Sequence, residues 1–132
     1  MYSGYLGYLN TPNHINIDEM HRLHNHILKG LIDEDSKELY EDLVSQCTRY
    51  MQYRMNWLLY SREEKISQDS YRSACHDSLI IKFDVLSRYC KSIGVDTAWR
   101  EELGDIKENP LNRKKIGDFA CYIVFINAIN AR

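Results

Sequence analysis

Residues 109–131 read NPLNRKKIGDFACYIVFINAINA, and this stretch decides the fold class. Asn109 suits an N-cap, and Pro110 suits the first helical position because a backbone N–H would have no helical partner there. From Leu111 to Ala131 no further proline interrupts the chain, and Gly117 is the only weak helix former of concern. The stretch therefore predicts one continuous helix of about six turns.

Apolar side chains occupy nearly every direction around this last helix, and a helix of that kind must be enclosed on all sides. Two arrangements achieve this: a central position in a monomeric bundle, or a closed two-fold dimer. The sequence favours the dimer, because further aromatic residues lie outside the main apolar stripe of an earlier helix and in the first residues of the chain. They are Tyr53, Trp57 and Tyr60, and Tyr2, Tyr5 and Tyr8.

Two helix starts precede this segment in the first half of the chain. Asn16 has Glu19 three residues later, the spacing of a capping box, and apolar residues then recur at helical intervals. Asp35 with Glu38 predicts a second start. We expect this second helix to be long and to end near Arg62, in a charged segment.

Two more helices are predicted between that segment and the last helix. The third begins near Asp69 and ends at Ile93, where Gly94 supplies a left-handed stop. Asp96 caps a short helix that Gly104 closes. No segment shows the alternation of a strand. The predicted fold class is all-α: a bundle of four long helices plus one short helix.

Length and composition are those of one globular domain. The chain has 132 residues, of which 44% are hydrophobic and 27% charged. A chain of this size and composition can bury a core without covalent cross-links. The pattern divides the chain into an irregular aromatic N-terminal arm, residues 1–15, and a single helical-bundle domain, residues 16–132.

Several classes of protein are disfavoured by simple features of the sequence. The net charge of −2 makes nucleic-acid binding an unfavourable interpretation. The longest apolar run, residues 119–126, is too short to cross a membrane, and no signal-peptide pattern is present. Cysteines in apolar helical stretches and without metal-site spacing predict reduced thiols and a cytoplasmic location. They are Cys47, Cys75, Cys90 and Cys121.

One dipeptide suggests a metal enzyme. His76-Asp77 on a predicted helix resembles the HD-type metal-dependent phosphohydrolases, all-α proteins with ligands in the order His, His-Asp, Asp. The resemblance implies a metal set of His24, His76, Asp77 and Asp118, and it covers those four residues only. The alternative is structural, with His24 buried and hydrogen-bonded. The sequence favours this alternative, so no cofactor is expected.

Charged residues at helical spacing predict a polar network. Asp69 and Arg72 lie three residues apart, and Asp84 and Arg88 lie four apart, so each pair can form an ion pair on one helix. Asp118 stands at the entrance to the most apolar helix, where a carboxylate needs a cationic partner. The expected partner is one of Arg72, Arg88 and Arg100.

A basic cluster surrounds the start of the last helix. It could contact phosphate, although cations at a helix N-terminus oppose the helix dipole. A solvated surface or an acidic protein partner explains the same residues. They are Lys107, Arg113, Lys114 and Lys115.

Three short strings resemble those of small uncharacterised helical proteins from Gram-positive bacteria, over roughly residues 20–132. The strings are Arg72-x3-His-Asp, Trp99-Arg-x2-Leu-Gly-Asp and Arg113-x2-Ile-Gly-Asp-Phe-Ala. The resemblance implies a helical domain of bacterial or mobile-element origin and carries no activity.

The sequence as a whole favours a non-catalytic, self-associating helical interaction or regulatory protein of the bacterial cytoplasm. We expect a homodimer, and the sequence does not name a further protein partner. The first alternative is a small HD-type metal-dependent phosphohydrolase. The second is a nucleic-acid-binding protein that uses the basic cluster.

Overall fold

The computed structural model describes residues 17–105, 109 and 111–131. This part of the chain is all-α and contains no strand, as the sequence predicts. The predicted N-terminal arm, residues 1–15, lies outside the described residues. Four longer helices and one short helix follow in chain order: α1 Ile17–Lys29, α2 Glu34–Trp57, α3 Arg62–Ser92, α4 Ala98–Leu103 and α5 Leu111–Asn130.

The start of α2 differs from the predicted one at Asp35. The N-cap is Asp33, whose Oδ1 accepts a hydrogen bond from the Ser36 backbone N–H at 2.8 Å. In return the Asp33 backbone N–H donates to Ser36 Oγ at 3.2 Å. This reciprocal capping box satisfies two N–H groups, so the helix begins before Asp35.

The boundary between α2 and α3 also differs from the prediction. The charged segment does not end α2, which stops at Trp57; instead it opens α3. Ser61 Oγ accepts from the Glu64 backbone N–H at 3.2 Å, and the Ser61 backbone N–H donates to Glu64 Oε1 at 3.2 Å. A serine-to-glutamate capping box therefore starts α3 at Arg62, not near Asp69.

The later helix ends agree with the sequence. Gly94 follows α3 and Gly104 follows α4, with φ angles of 83° and 79°. These left-handed conformations favour glycine. The Asn109 side chain accepts a hydrogen bond from the Leu111 backbone N–H at 3.0 Å, as expected of a capping residue. Around α4 the N-cap is Thr97, while the carboxylate of Asp96 accepts from the Ala98 N–H at 3.0 Å.

Packing joins all five helices around one apolar core. α2 packs along both α3 and α5, and α4 contacts α1, α3 and α5. The Phe83 ring of α3 stacks on Phe119 of α5 with centroids 5.9 Å apart, and it lies 6.4 Å from the Trp99 ring of α4. Other completely enclosed side chains are Met20, Leu23, Leu43, Leu79 and Leu103.

The last helix is enclosed only over its middle turns. Residues 116–123 are all buried within the described domain, whereas residues 124–127 are half-buried and 128–131 are exposed. The middle of α5, residues 116–123, therefore occupies the central position that the sequence left open as an alternative. A second chain is not needed to cover it.

Candidate interaction surface

Four aromatic rings cluster where α2 meets α3. Tyr53 is buried, and its ring centroid lies 6.0 Å from that of Trp57, 6.3 Å from that of Tyr60 and 5.0 Å from that of Tyr71. The Tyr53 hydroxyl donates a hydrogen bond of 2.6 Å to the backbone carbonyl of Gln68. This contact ties the end of α2 to the second turn of α3. We name residues 53–72, whose two helices this hydrogen bond joins, the α2–α3 corner.

Two cations flank the Trp57 ring. The Arg72 guanidinium carbon lies 4.8 Å from the ring centroid, and the Lys65 Nζ lies 5.9 Å from it. Both distances are within the range of a cation–π interaction. Beside the ring is an open cleft of about 370 Å³. Its lining residues are Trp57, Arg62, Lys65, Ile66 and Asp69.

The α2–α3 corner exposes an unusual amount of apolar surface. Five of the eleven large apolar side chains that are exposed in the described residues fall within residues 55–71. Leu58 and Leu59, in the tight turn between the helices, are 77% and 83% exposed. Met55, Ile66 and Tyr71 complete the set. Scattered exposed apolar residues are normal, but a concentration of them typically marks an interaction site.

The charges around this apolar surface balance. Apart from Arg54, which is paired with the buried Asp118, residues 53–72 contain three cations and three carboxylates. The cations are Arg62, Lys65 and Arg72; the carboxylates are Glu63, Glu64 and Asp69. A surface whose charges all have one sign would repel a second copy of itself. A surface whose rim carries charges of both signs can be complementary to a second copy.

The two histidines of the suggested metal set lie in separate surroundings. His24 is buried, and its Nε2 lies 2.7 Å from the Tyr40 hydroxyl. Tyr40 also accepts a hydrogen bond of 3.0 Å from the Asn127 side chain. Burial, followed by the neighbouring His21, lowers the pKa of His24 to about 4, so His24 is neutral at pH 7. His24 is thus engaged in the buried hydrogen bonds that the structural interpretation expects.

His76 lies against α5 and α2 instead. Its Nε2 is 3.4 Å from the backbone carbonyl of Arg113, and its ring meets that of Tyr50 edge-on at 5.6 Å. Burial is the main cause that lowers the pKa of His76. Asp77, the next residue, is exposed.

Asp118, the last member of the suggested set, is completely buried between two cations. Its carboxylate lies 3.1 Å from Lys114 Nζ and 3.5 Å from Arg54 Nη1. No three His, Cys, Asp or Glu residues of the described chain are grouped so that they could hold a metal ion. The structure therefore does not bring His24, His76, Asp77 and Asp118 together as ligands.

The polar network forms with changed partners. Asp69 and Arg72 make the expected ion pair at 3.2 Å. Asp84 pairs with Arg100 of α4 at 2.6 Å, not with the expected Arg88 of its own helix, and the bond links two helices. Asp118 has an arginine partner, as predicted, but the prediction of Arg72, Arg88 or Arg100 is wrong. The partner is Arg54 of α2, which no local spacing could identify.

The basic cluster is divided by the fold. Lys107 lies outside the described residues, and Arg113 is exposed. Lys114 is paired with Asp118, and Lys115 Nζ lies 3.6 Å from Glu19 Oε1 of α1. Two of the four suggested phosphate contacts are thus paired with carboxylates of the protein itself.

Only some residues of the α2–α3 corner could be identified from the sequence. Tyr53, Trp57 and Tyr60 stood out as aromatic residues away from the main stripe of α2. Leu58, Leu59 and Ile66 were missed because the predicted boundaries placed the turn after Arg62. A Ser-x-x-Glu capping box at residues 61–64 is the signal that could have located the turn.

The comparisons with known proteins assign neither a family nor an activity. Within the described residues, none of the helices combines the length and the apolar character needed to cross a membrane. No protein-family model matches the chain, and searches of curated proteins and of solved structures gave no significant match.

Proposed function

We propose that this chain is a non-catalytic helical interaction protein of the bacterial cytoplasm, which associates with a second copy of itself through the α2–α3 corner. The observation that carries the proposal is the concentration of exposed apolar side chains in the α2–α3 corner: Met55, Leu58, Leu59, Ile66 and Tyr71. Aromatic residues, methionine and arginine are enriched in interface cores, and this corner contains all three. Its balanced charges suit a partner with the same surface.

The ionisable side chains support a binding role over catalysis. Burial raises the pKa of Cys121 to about 11, and it also raises the pKa of Cys47 and Cys90. These thiols stay protonated at pH 7, whereas a nucleophilic cysteine needs a lowered pKa. The two buried histidines, His24 and His76, have pKa values lowered by burial and no carboxylate hydrogen-bond partner among their described contacts.

The cytoplasmic location rests on the same thiols. All four cysteines are unpaired and buried. Reduced cysteines that pack as small apolar side chains are typical of a reducing compartment. The bacterial origin rests on the resemblance of the three short strings to Gram-positive proteins.

Light scattering on two variants tests the proposed surface. Leu58→Glu/Leu59→Glu places two charges on the corner, at side chains whose exposure leaves the core intact, and should convert the dimer to a monomer at micromolar concentration. Leu111→Glu is the matched control, because Leu111 is 68% exposed at the start of α5, outside the corner. It should retain the dimer mass. Equal masses for the two variants would refute the corner as the interface, and helical circular dichroism should verify folding.

A further inference from the structure

The α2–α3 corner contains a protrusion and a cleft side by side. The protrusion is the leucine pair Leu58–Leu59, which is more than three-quarters exposed at both positions. The cleft begins at Trp57, the residue directly before this pair, and includes Ile66 on the first turns of α3. Both features therefore belong to the same short segment of the surface.

The dimensions of the cleft suit the leucine pair. A protein cavity of about 150 Å³ admits a benzene molecule, and each leucine side chain has fewer carbon atoms than benzene. The cleft of about 370 Å³ therefore has room for both leucine side chains. Its apolar walls are Trp57 and Ile66, of which Ile66 is 71% exposed.

We infer that the occupant of this cleft is the Leu58–Leu59 pair of a second copy of the chain, and that the two copies exchange the contact reciprocally. The inference rests on the proposed function and specifies its contact. In a closed two-fold dimer, a contact from residue i to residue j is repeated from j to i. When the protrusion of each copy enters the cleft of the other, the same contact forms twice, as two-fold symmetry requires.

The charges and the rigidity of the corner favour this arrangement. Arg62 and Lys65 line the cleft near Asp69, while Glu63 and Glu64 are exposed on the same turn. The rim of each copy therefore offers both signs to the other. Trp57 is held by ring contacts to Tyr53 and Tyr60, so the cleft wall is in place before binding. A preformed wall reduces the ordering that association requires.

Cross-linking of single-cysteine variants tests the exchange. The four native cysteines are buried, so an introduced surface thiol is the accessible one. Chains carrying Leu59→Cys and chains carrying Ile66→Cys are mixed, oxidised with glutathione disulfide and analysed by intact mass. The mixed disulfide should form on the order of tenfold faster than the disulfide within either variant alone, because the dimer holds the two thiols at high effective concentration.

The outcomes separate this inference from the proposed function. If the unmodified chain is a dimer but Leu59→Cys chains cross-link fastest with each other, the leucine pairs face one another and the reciprocal exchange is wrong. If the unmodified chain is a monomer, both the exchange and the proposed self-association are wrong. A chain with Leu111→Cys, mixed with either variant, supplies the background rate.

Discussion

Removal of the Asp118 carboxylate perturbs the most enclosed charge in the described chain. Asp118 is 0% exposed, and its oxygens lie between Lys114 on the preceding turn of α5 and Arg54 of α2. Gly117 lets the Arg54 side chain come close to the backbone of α5, because a Cβ at that position would lie 2.8 Å from Arg54 Nη1. The ion pairs therefore hold α2 against the start of α5.

The expected cost follows from how far the two cations can be rehydrated. Breaking a buried ion pair by removing one partner costs about 3–5 kcal/mol. The side chains of Arg54 and Lys114 are 26% and 39% exposed, so water can partly solvate them after the carboxylate is lost. We therefore expect Asp118→Ala to lower the free energy of unfolding by about 3 kcal/mol. Asp118→Asn, which keeps the shape and an acceptor, should cost about 1 kcal/mol.

Urea denaturation followed by circular dichroism measures both changes. In a thermal melt of a chain of this length, a loss of about 3 kcal/mol corresponds to a fall in Tm of about 12 °C. The matched control is Asp77→Ala, which removes an exposed carboxylate and should change the free energy of unfolding by less than about 0.5 kcal/mol. If Asp118→Ala behaves like Asp77→Ala, the reasoning about the buried pair is refuted.

Three further predictions concern pH, packing and capping. Because the pKa of His24 is about 4 in the folded chain, below its ordinary value of 6.5, the unfolded chain takes up the proton first. The contribution of His24 to stability is therefore full above about pH 7 and falls by about 2 kcal/mol between about pH 7 and about pH 5. Urea denaturation at the two pH values should show a smaller fall for His24→Gln, and an equal fall would contradict the assignment. Gly117→Ala should lower the free energy of unfolding by about 1–2 kcal/mol despite its better helix propensity. The reason is that the new Cβ would lie 2.6 Å from the buried Tyr50 hydroxyl; a stabilised variant in the same assay would show that Tyr50 moves aside. Ser61→Ala should cost about 1 kcal/mol by removing the α3 cap, and an unchanged Tm would mean that this cap contributes nothing.

The sequence predicted the fold where the signals are local. Asn109 caps α5, Gly94 ends α3 and Gly104 ends α4, since each signal depends only on residues within a few positions. The errors occurred where two local signals competed. Asp33 and Asp35 both resemble N-caps, and Ser61–Glu64 could be read as the end of one helix or the start of the next.

The candidate site was less predictable because it depends on contacts between helices. That Asp118 needs a cation follows from the apolar character of its helix, but the choice of Arg54 depends on how α2 packs on α5. The same holds for the cleft at Trp57, whose walls come from the end of α2 and the start of α3. Periodicity identifies an apolar face, and it does not show which residues the bundle leaves uncovered.

Sedimentation equilibrium of the unmodified chain tests the central claim, self-association, most directly. The measurement covers a range of concentrations around the micromolar level at pH 7. Our account predicts a mass that approaches twice the chain mass of 15.6 kDa as concentration rises. A mass that stays at 15.6 kDa throughout the range would contradict it.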